Sequence, residues 1–98
     1  MHYLLIYHLA PDYLQRRGEF REKHLAMAWK ACESGEMVLG GALQDPADRA
    51  VLLFEGDTPE AAETFAKNDP YVKNGLVEKW EVRPWMTVVG NDATSPLK

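Results

Sequence analysis

The chain has 98 residues, of which 46% are hydrophobic and 27% charged, with three Trp, four Tyr and three Phe. Such a chain is one globular domain near the lower size limit, burying only about two-thirds of its unfolded surface, and its composition argues against intrinsic disorder. A formal charge of −4 without a basic stripe disfavours nucleic acid and an anionic membrane surface as partners.

The single cysteine, Cys32, rules out an internal disulfide framework and fits a reducing compartment. It reads as a small buried apolar residue on a helix. The start, Met1-His2-Tyr3, carries no basic leader, and Leu4-Leu5-Ile6 is too short for a signal core. No apolar run approaches the roughly 20 residues of a membrane span. A cytoplasmic protein is expected.

Residues 2–9 are rich in aromatic and branched side chains and read as a strand. Both alternating sets are apolar, Leu4 and Ile6 on one, Tyr3, Leu5, Tyr7 and Leu9 on the other, which implies burial on both faces. Pro11-Asp12 ends it. From residue 12 or 19 to Ser34 the period becomes helical, with Phe20, His24, Ala28 and Ala31 on one stripe. Gly35 stands at the position that closes a helix.

Met37 to Leu43 is a second strand whose Gly40-Gly41 permits a bulge or a close approach. The polar loop 44–49 turns the chain into a third strand, Ala50 to Glu55. Thr58 as cap, Pro59 at the first position, and Glu60 and Glu63 near the positive end open a second helix. Pro70 ends it near Asn68. A further turn over 70–74, capped by Asp69, leads through Gly75 into the last strand, Val77 to Val89. One domain over 1–90 and a loose tail over 91–98 are expected.

Strand, helix, strand, strand, helix, strand is the split βαβ order of a ferredoxin-like α+β fold with a four-stranded antiparallel sheet. Right-handed crossovers place both helices on one face. The other face has no cover from its own chain, yet Val51, Leu52, Leu53 and Phe54 are consecutive. A homodimer with the two sheets face to face removes that apolar patch from water.

His24 lies one turn after Phe20 and one before Ala28, so its imidazole needs a hydrogen-bond partner beside an apolar stripe. Arg17 and Arg21 fall near the same helical face and suit a small anionic or aromatic metabolite, such as a carboxylate or enolate. Two readings stand: solvated arginines beside a core-edge histidine, or an acid–base site. Asp69, in Asn68-Asp69-Pro70-Tyr71, could orient the imidazole or simply cap the turn that follows. Sequence alone does not separate these roles. Tyr7, Tyr71 and Trp85 are candidate cleft residues. His2 and His8 lie about 20 Å apart at strand rise, too far to share a metal, and no metal site is expected. The hydrolase and nucleotide fingerprints GxSxG, GxxxxGK and GxGxxG are absent.

Arg21-x-x-His24-Leu25, Gly41-Ala42-Leu43, Thr58-Pro59-Glu60-Ala61-Ala62, Asp69-Pro70-Tyr71 with Gly75, and Val82-Arg83-Pro84-Trp85 come in an order that resembles the YciI-like (YCII-related) family of dimeric α+β-barrel proteins. The resemblance covers almost all of residues 2–89. It departs at the end of the first strand, where many members read Tyr-Asp-Lys-Pro and this chain reads Tyr7-His8-Leu9-Ala10-Pro11. It implies a ferredoxin-like subunit whose sheet packs against a partner's as a dimeric α+β barrel. It also implies a His–Asp active-site pair falling on His24 and Asp69, and no organic cofactor. Similar proteins include a dehydrochlorinase, and more distant relatives include muconolactone isomerases. The expected function is therefore a lyase or isomerase acting on a small metabolite. The alternatives are a non-catalytic ligand-binding or accessory dimer, or a purely structural oligomerisation unit.

Overall fold

Alternation along the first strand decides which side chains the helices cover. Tyr3, Leu5, Tyr7 and Leu9 are buried, while Leu4, Ile6 and His8 between them are half-buried. The computed structural model describes all of residues 1–98. Its elements are β1 (His2–Leu9), α1 (Tyr13–Glu33), β2 (Met37–Ala42), β3 (Arg49–Glu55), α2 (Glu60–Asn68), the single turn α3 (Pro70–Lys73) and β4 (Val77–Trp85). This is the expected βαββαβ order with α3 as an added turn.

The four strands form one antiparallel sheet in the order β2-β3-β1-β4. In register, Leu5 faces Leu52 on one side and Val82 on the other, and Tyr7 faces Ala50 and Trp80. These pairs share the helix-covered face, where Phe54 of β3 and Ala62, Phe65 and Ala66 of α2 complete the core. Each fully buried Leu or Phe there contributes about 1.5–3 kcal/mol relative to exposure. No helix is long and apolar enough to cross a membrane.

Local signals set most boundaries. α1 starts at Tyr13, one residue after the earlier of the two expected positions, and closes where Gly35 takes a φ of 83°. That left-handed conformation costs glycine nothing. At α2 the helix begins one residue later than expected, after Pro59, and the Thr58 hydroxyl accepts a hydrogen bond from the Glu60 N–H at 3.3 Å. Asp69 is extended (ψ 124°) because a proline after it disfavours helical backbone.

The last strand is shorter than its apolar pattern suggests, ending at Trp85 instead of Val89. Pro84 has no N–H to offer, and beyond it the chain doubles back. The N–H groups of Ser95 and Leu97 donate to the carbonyls of Thr87 and Val88. The Thr87 hydroxyl accepts from the Thr94 N–H and lies 2.8 Å from Nδ1 of the buried His2.

The face away from the helices carries Leu4 and Ile6 of β1 with Val51 and Leu53 of β3, all half-buried. Leu39 of the edge strand β2 is 72% exposed beside them. On β4, the residues paired with Leu4, Ile6 and His8 are Arg83, Glu81 and Lys79. Nε2 of His8 is buried there without a hydrogen-bond partner.

Candidate functional site

A helix of 21 residues long enough to run the length of the sheet presents Tyr13, Arg17, Arg21, His24, Ala28 and Cys32 at three- and four-residue spacing, hence along one stripe. The short turn after Glu33 sends β2 back alongside it. Between α1 and β2 lies a groove of about 480 Å³, within the size range of small-ligand sites. Gly40 forms part of its wall. A Cβ at Gly40 would come within 3.3 Å of Met37 Sδ and 3.4 Å of Leu52 Cγ.

His24 projects from α1 toward the junction of α2 and α3. There its Nδ1 lies 2.9 Å from Oδ1 and 3.0 Å from Oδ2 of Asp69. Asp69 is wholly buried and accepts two further hydrogen bonds, from the Tyr7 hydroxyl at 2.7 Å and from the Tyr71 N–H at 3.0 Å. A carboxylate has only acceptors, so Nδ1 carries the hydrogen, and in the neutral ring Nε2 holds the lone pair. Nε2 makes no hydrogen bond within the chain and is open to the groove.

The ring is held as well as hydrogen-bonded. Tyr71 stacks on it with centroids 3.9 Å apart and planes 13° from parallel, and Phe65 meets it edge-on at 6.3 Å. Tyr13 packs edge-on against Tyr71 at 5.7 Å, and the Arg17 guanidinium lies 5.8 Å from the Tyr13 ring centre. Burial, then the Asp69 charge and hydrogen bond, push the Tyr7 phenol far above the usual tyrosine range, so it remains a donor. Burial leads again at Tyr71, with smaller opposing effects from Tyr13 and Asp69 against Arg21 and Arg17, and its phenol is pushed up to about 12.

Of the residues singled out from sequence, Tyr7, Arg17, Arg21, His24 and Tyr71 line the groove, with Asp69 directly behind His24. Trp85 does not join them. Its register pairs it with His2, against which it packs at 6.5 Å, and strand alternation puts both on the face away from the groove. Cys32 is half-buried on the groove wall, not in the core. Asp69 turns out to combine the two roles that sequence left open, capping α3 through Oδ1 while holding His24.

Tyr13 and Gln44, which also line the groove, escaped the sequence reading. Tyr13 had a signal, since it precedes Arg17 by four residues on the same helical stripe. Gln44 had none, because only the return of β2 brings its loop near α1. No three His, Cys, Asp or Glu side chains gather closely enough to hold a metal ion.

Sheet, helices and groove together define a ferredoxin-like α+β domain with a histidine and a buried carboxylate at the edge of a ligand-sized hollow. The sequence profile of the YCII-related domain matches residues 1–86. Protein YciI of Escherichia coli O6:H1 is 31% identical over an 86-residue alignment spanning 79% of this chain and 88% of that protein. The chain belongs to the YCII-related family.

Among solved structures, it is similar to 5-chloro-2-hydroxyhydroquinone dehydrochlorinase (TftG) of Burkholderia phenoliruptrix AC1100 in complex with 2,5-dihydroxybenzoquinone. That match has a TM-score of 0.73 and 23% identity, covering 89% of this chain and 95% of the other. A second is protein Atu4242 of Agrobacterium tumefaciens, with a TM-score of 0.58 and 14% identity over 96% of this chain and 98% of that one. At these identities the likeness is one of fold.

Proposed function

We propose that this chain is a cofactor-independent acid–base enzyme of lyase or isomerase type acting on a small anionic or aromatic metabolite. The observation that carries the reading is the contact of His24 Nδ1 with the wholly buried Asp69, which leaves Nε2 facing the groove. A fixed imidazole with a free lone pair can take a proton from a bound substrate and return it at a neighbouring atom. Asp69 orients the ring and stabilises the positive charge that arises on it. Arg17 and Arg21, on the turns before His24, offer guanidinium groups to a carboxylate or enolate oxygen as charge develops there.

The test uses 5-chloro-2-hydroxyhydroquinone and unsaturated lactone acids as trial substrates. Turnover by the wild-type chain should fall a hundredfold or more in His24→Ala and Asp69→Asn while both variants stay folded. Wild-type rates in either variant would remove the idea.

A homodimer belongs to this reading. Leu4, Ile6, Val51 and Leu53, with exposed Leu39 at their edge, form an apolar face that a second copy would cover as in a dimeric α+β barrel. A reducing, cytoplasmic setting suits the lone thiol of Cys32 on the groove wall. A second reading, a ligand-binding dimer without turnover, draws support from the groove's largely apolar lining, in which 14 of 20 residues are hydrophobic. It predicts binding by the wild-type chain with no product.

A further inference from the structure

The groove is not uniform along its length. Arg17, Arg21, His24 and Gln44 gather at one end, and Leu25, Trp29, Cys32, Met37 and Val38 line the rest. From His24 to Cys32 is eight residues, or about 12 Å of helix, so the apolar stretch is longer than a single ring. Its rim is also unusually wet for such residues: Trp29 is 63% exposed, Leu25 40% and Val38 39%. Large apolar side chains held open to water on both lips of a cleft stand to gain by covering an apolar ligand.

Volume supports the same division. The open groove offers about 480 Å³, within the roughly 300–1,000 Å³ of sites that take drug-sized ligands. A lone six-membered ring with small substituents would leave much of it filled with water. Wetted apolar walls gain from a larger ligand whose apolar part displaces that water.

We propose that the groove takes an amphiphilic carboxylate. Its anionic head lies at Arg17 and Arg21, its reacting carbon beside His24 and Tyr71, and an apolar extension runs along α1 over Ala28 to Trp29 and Cys32. The proposal rests on the acid–base reading for the reacting carbon and goes beyond it in naming a two-part ligand. Opposite charge selects the head, and the apolar trough selects the tail. The order of groups along α1 places the reacting carbon next to the carboxylate-bearing part, not at the far end of the tail.

Isothermal titration of the full chain with benzoate, 4-ethylbenzoate, 4-butylbenzoate and 4-hexylbenzoate tests it. Affinity should climb roughly two- to fourfold per methylene, the upper figure being the worth of a fully buried methylene. Arg17→Gln with Arg21→Gln should weaken every member by a similar factor, and Ala28→Leu should flatten the ladder. If Ala28→Leu fails to fold, nuclear Overhauser contacts from the hexyl methyl to the Trp29 ring in the wild-type chain carry the same information. Benzoates that bind with no dependence on length would overturn the two-part ligand, as would a trough filled by a second copy of the chain. Both outcomes leave the His24 turnover test untouched. Absence of binding by every benzoate would overturn the anionic head as well.

Discussion

The Tyr7 hydroxyl donates to Asp69 Oδ2 at 2.7 Å across 62 positions of sequence. Asp69 thus has donors from β1, from α1 through His24, and from its own turn through the Tyr71 N–H. One buried carboxylate ties the central strand, the long helix and the link between α2 and α3 at a single point. A charge so placed is tolerable only because its lone pairs are occupied.

Removing one of those donors should be felt. Tyr7→Phe keeps the ring in the core but leaves Oδ2 one partner short, and a hydrogen bond to a charged group is worth about 1.5–3 kcal/mol. Urea unfolding should show a lower midpoint by that amount with an unchanged slope.

Asp69 variants should separate its two roles. Asp69→Asn retains an acceptor for the Tyr71 N–H, so α3 stays capped while the charge facing His24 is lost. Asp69→Ala strands three donors at once, each costing about 1–3 kcal/mol when buried unpaired. Thermal unfolding should therefore rank wild type above Asn and Asn above Ala. An Ala variant as stable as the Asn variant would contradict the capping role.

Alkaline pH should weaken the fold through its tyrosines. The Tyr71 phenol is pushed up to about 12 and that of Tyr7 is raised further, against about 10 in an unfolded chain. The folded state holds these protons more tightly, so their contribution is fully present below about pH 10. Above it the unfolded chain releases them first, and stability falls as pH rises toward and beyond 12. A spectrophotometric phenolate titration of the folded chain should find Tyr71 ionising only near 12 and Tyr7 silent until the chain unfolds.

The uncovered sheet face predicts assembly. The wild-type chain should sediment as a dimer at micromolar concentration, and Ile6→Glu should sediment as a folded monomer, since Ile6 is half-buried on that face opposite Val51 and Glu81. A wild-type monomer would remove the dimer from the proposed function.

Thr87→Val should free the doubled-back end of the chain. It removes the hydroxyl shared by His2 and Thr94, at about 1 kcal/mol or more for the buried partner left behind. Limited proteolysis within residues 88–98 should accelerate while the rest of the domain resists.

Element order, the helix ends at Gly35 and Asn68, and the turn at Asp69-Pro70 were legible because each depends on residues within a few positions. Alternation, a missing proline N–H and a glycine's tolerance of positive φ act locally, so a linear reading captures them. The chain beyond Trp85 was less legible: Thr87, expected within the last strand, reaches His2 across 85 positions, and nothing in its composition announces that.

Sequence by itself determined the candidate chemistry, a histidine on an apolar stripe with two arginines on the preceding turns and an aspartate where the backbone must turn. The family resemblance already implied that His24 and Asp69 pair; tertiary structure alone decided that Asp69 caps α3 at the same time, that Tyr7 joins them, and that Trp85 lies on the other face. The physical reason is sheet order. β1 sits between β3 and β4, so the alternation of each neighbouring strand is locked to that of β1. Which side chain shares a face with which is then settled by pairing between strands far apart in the chain.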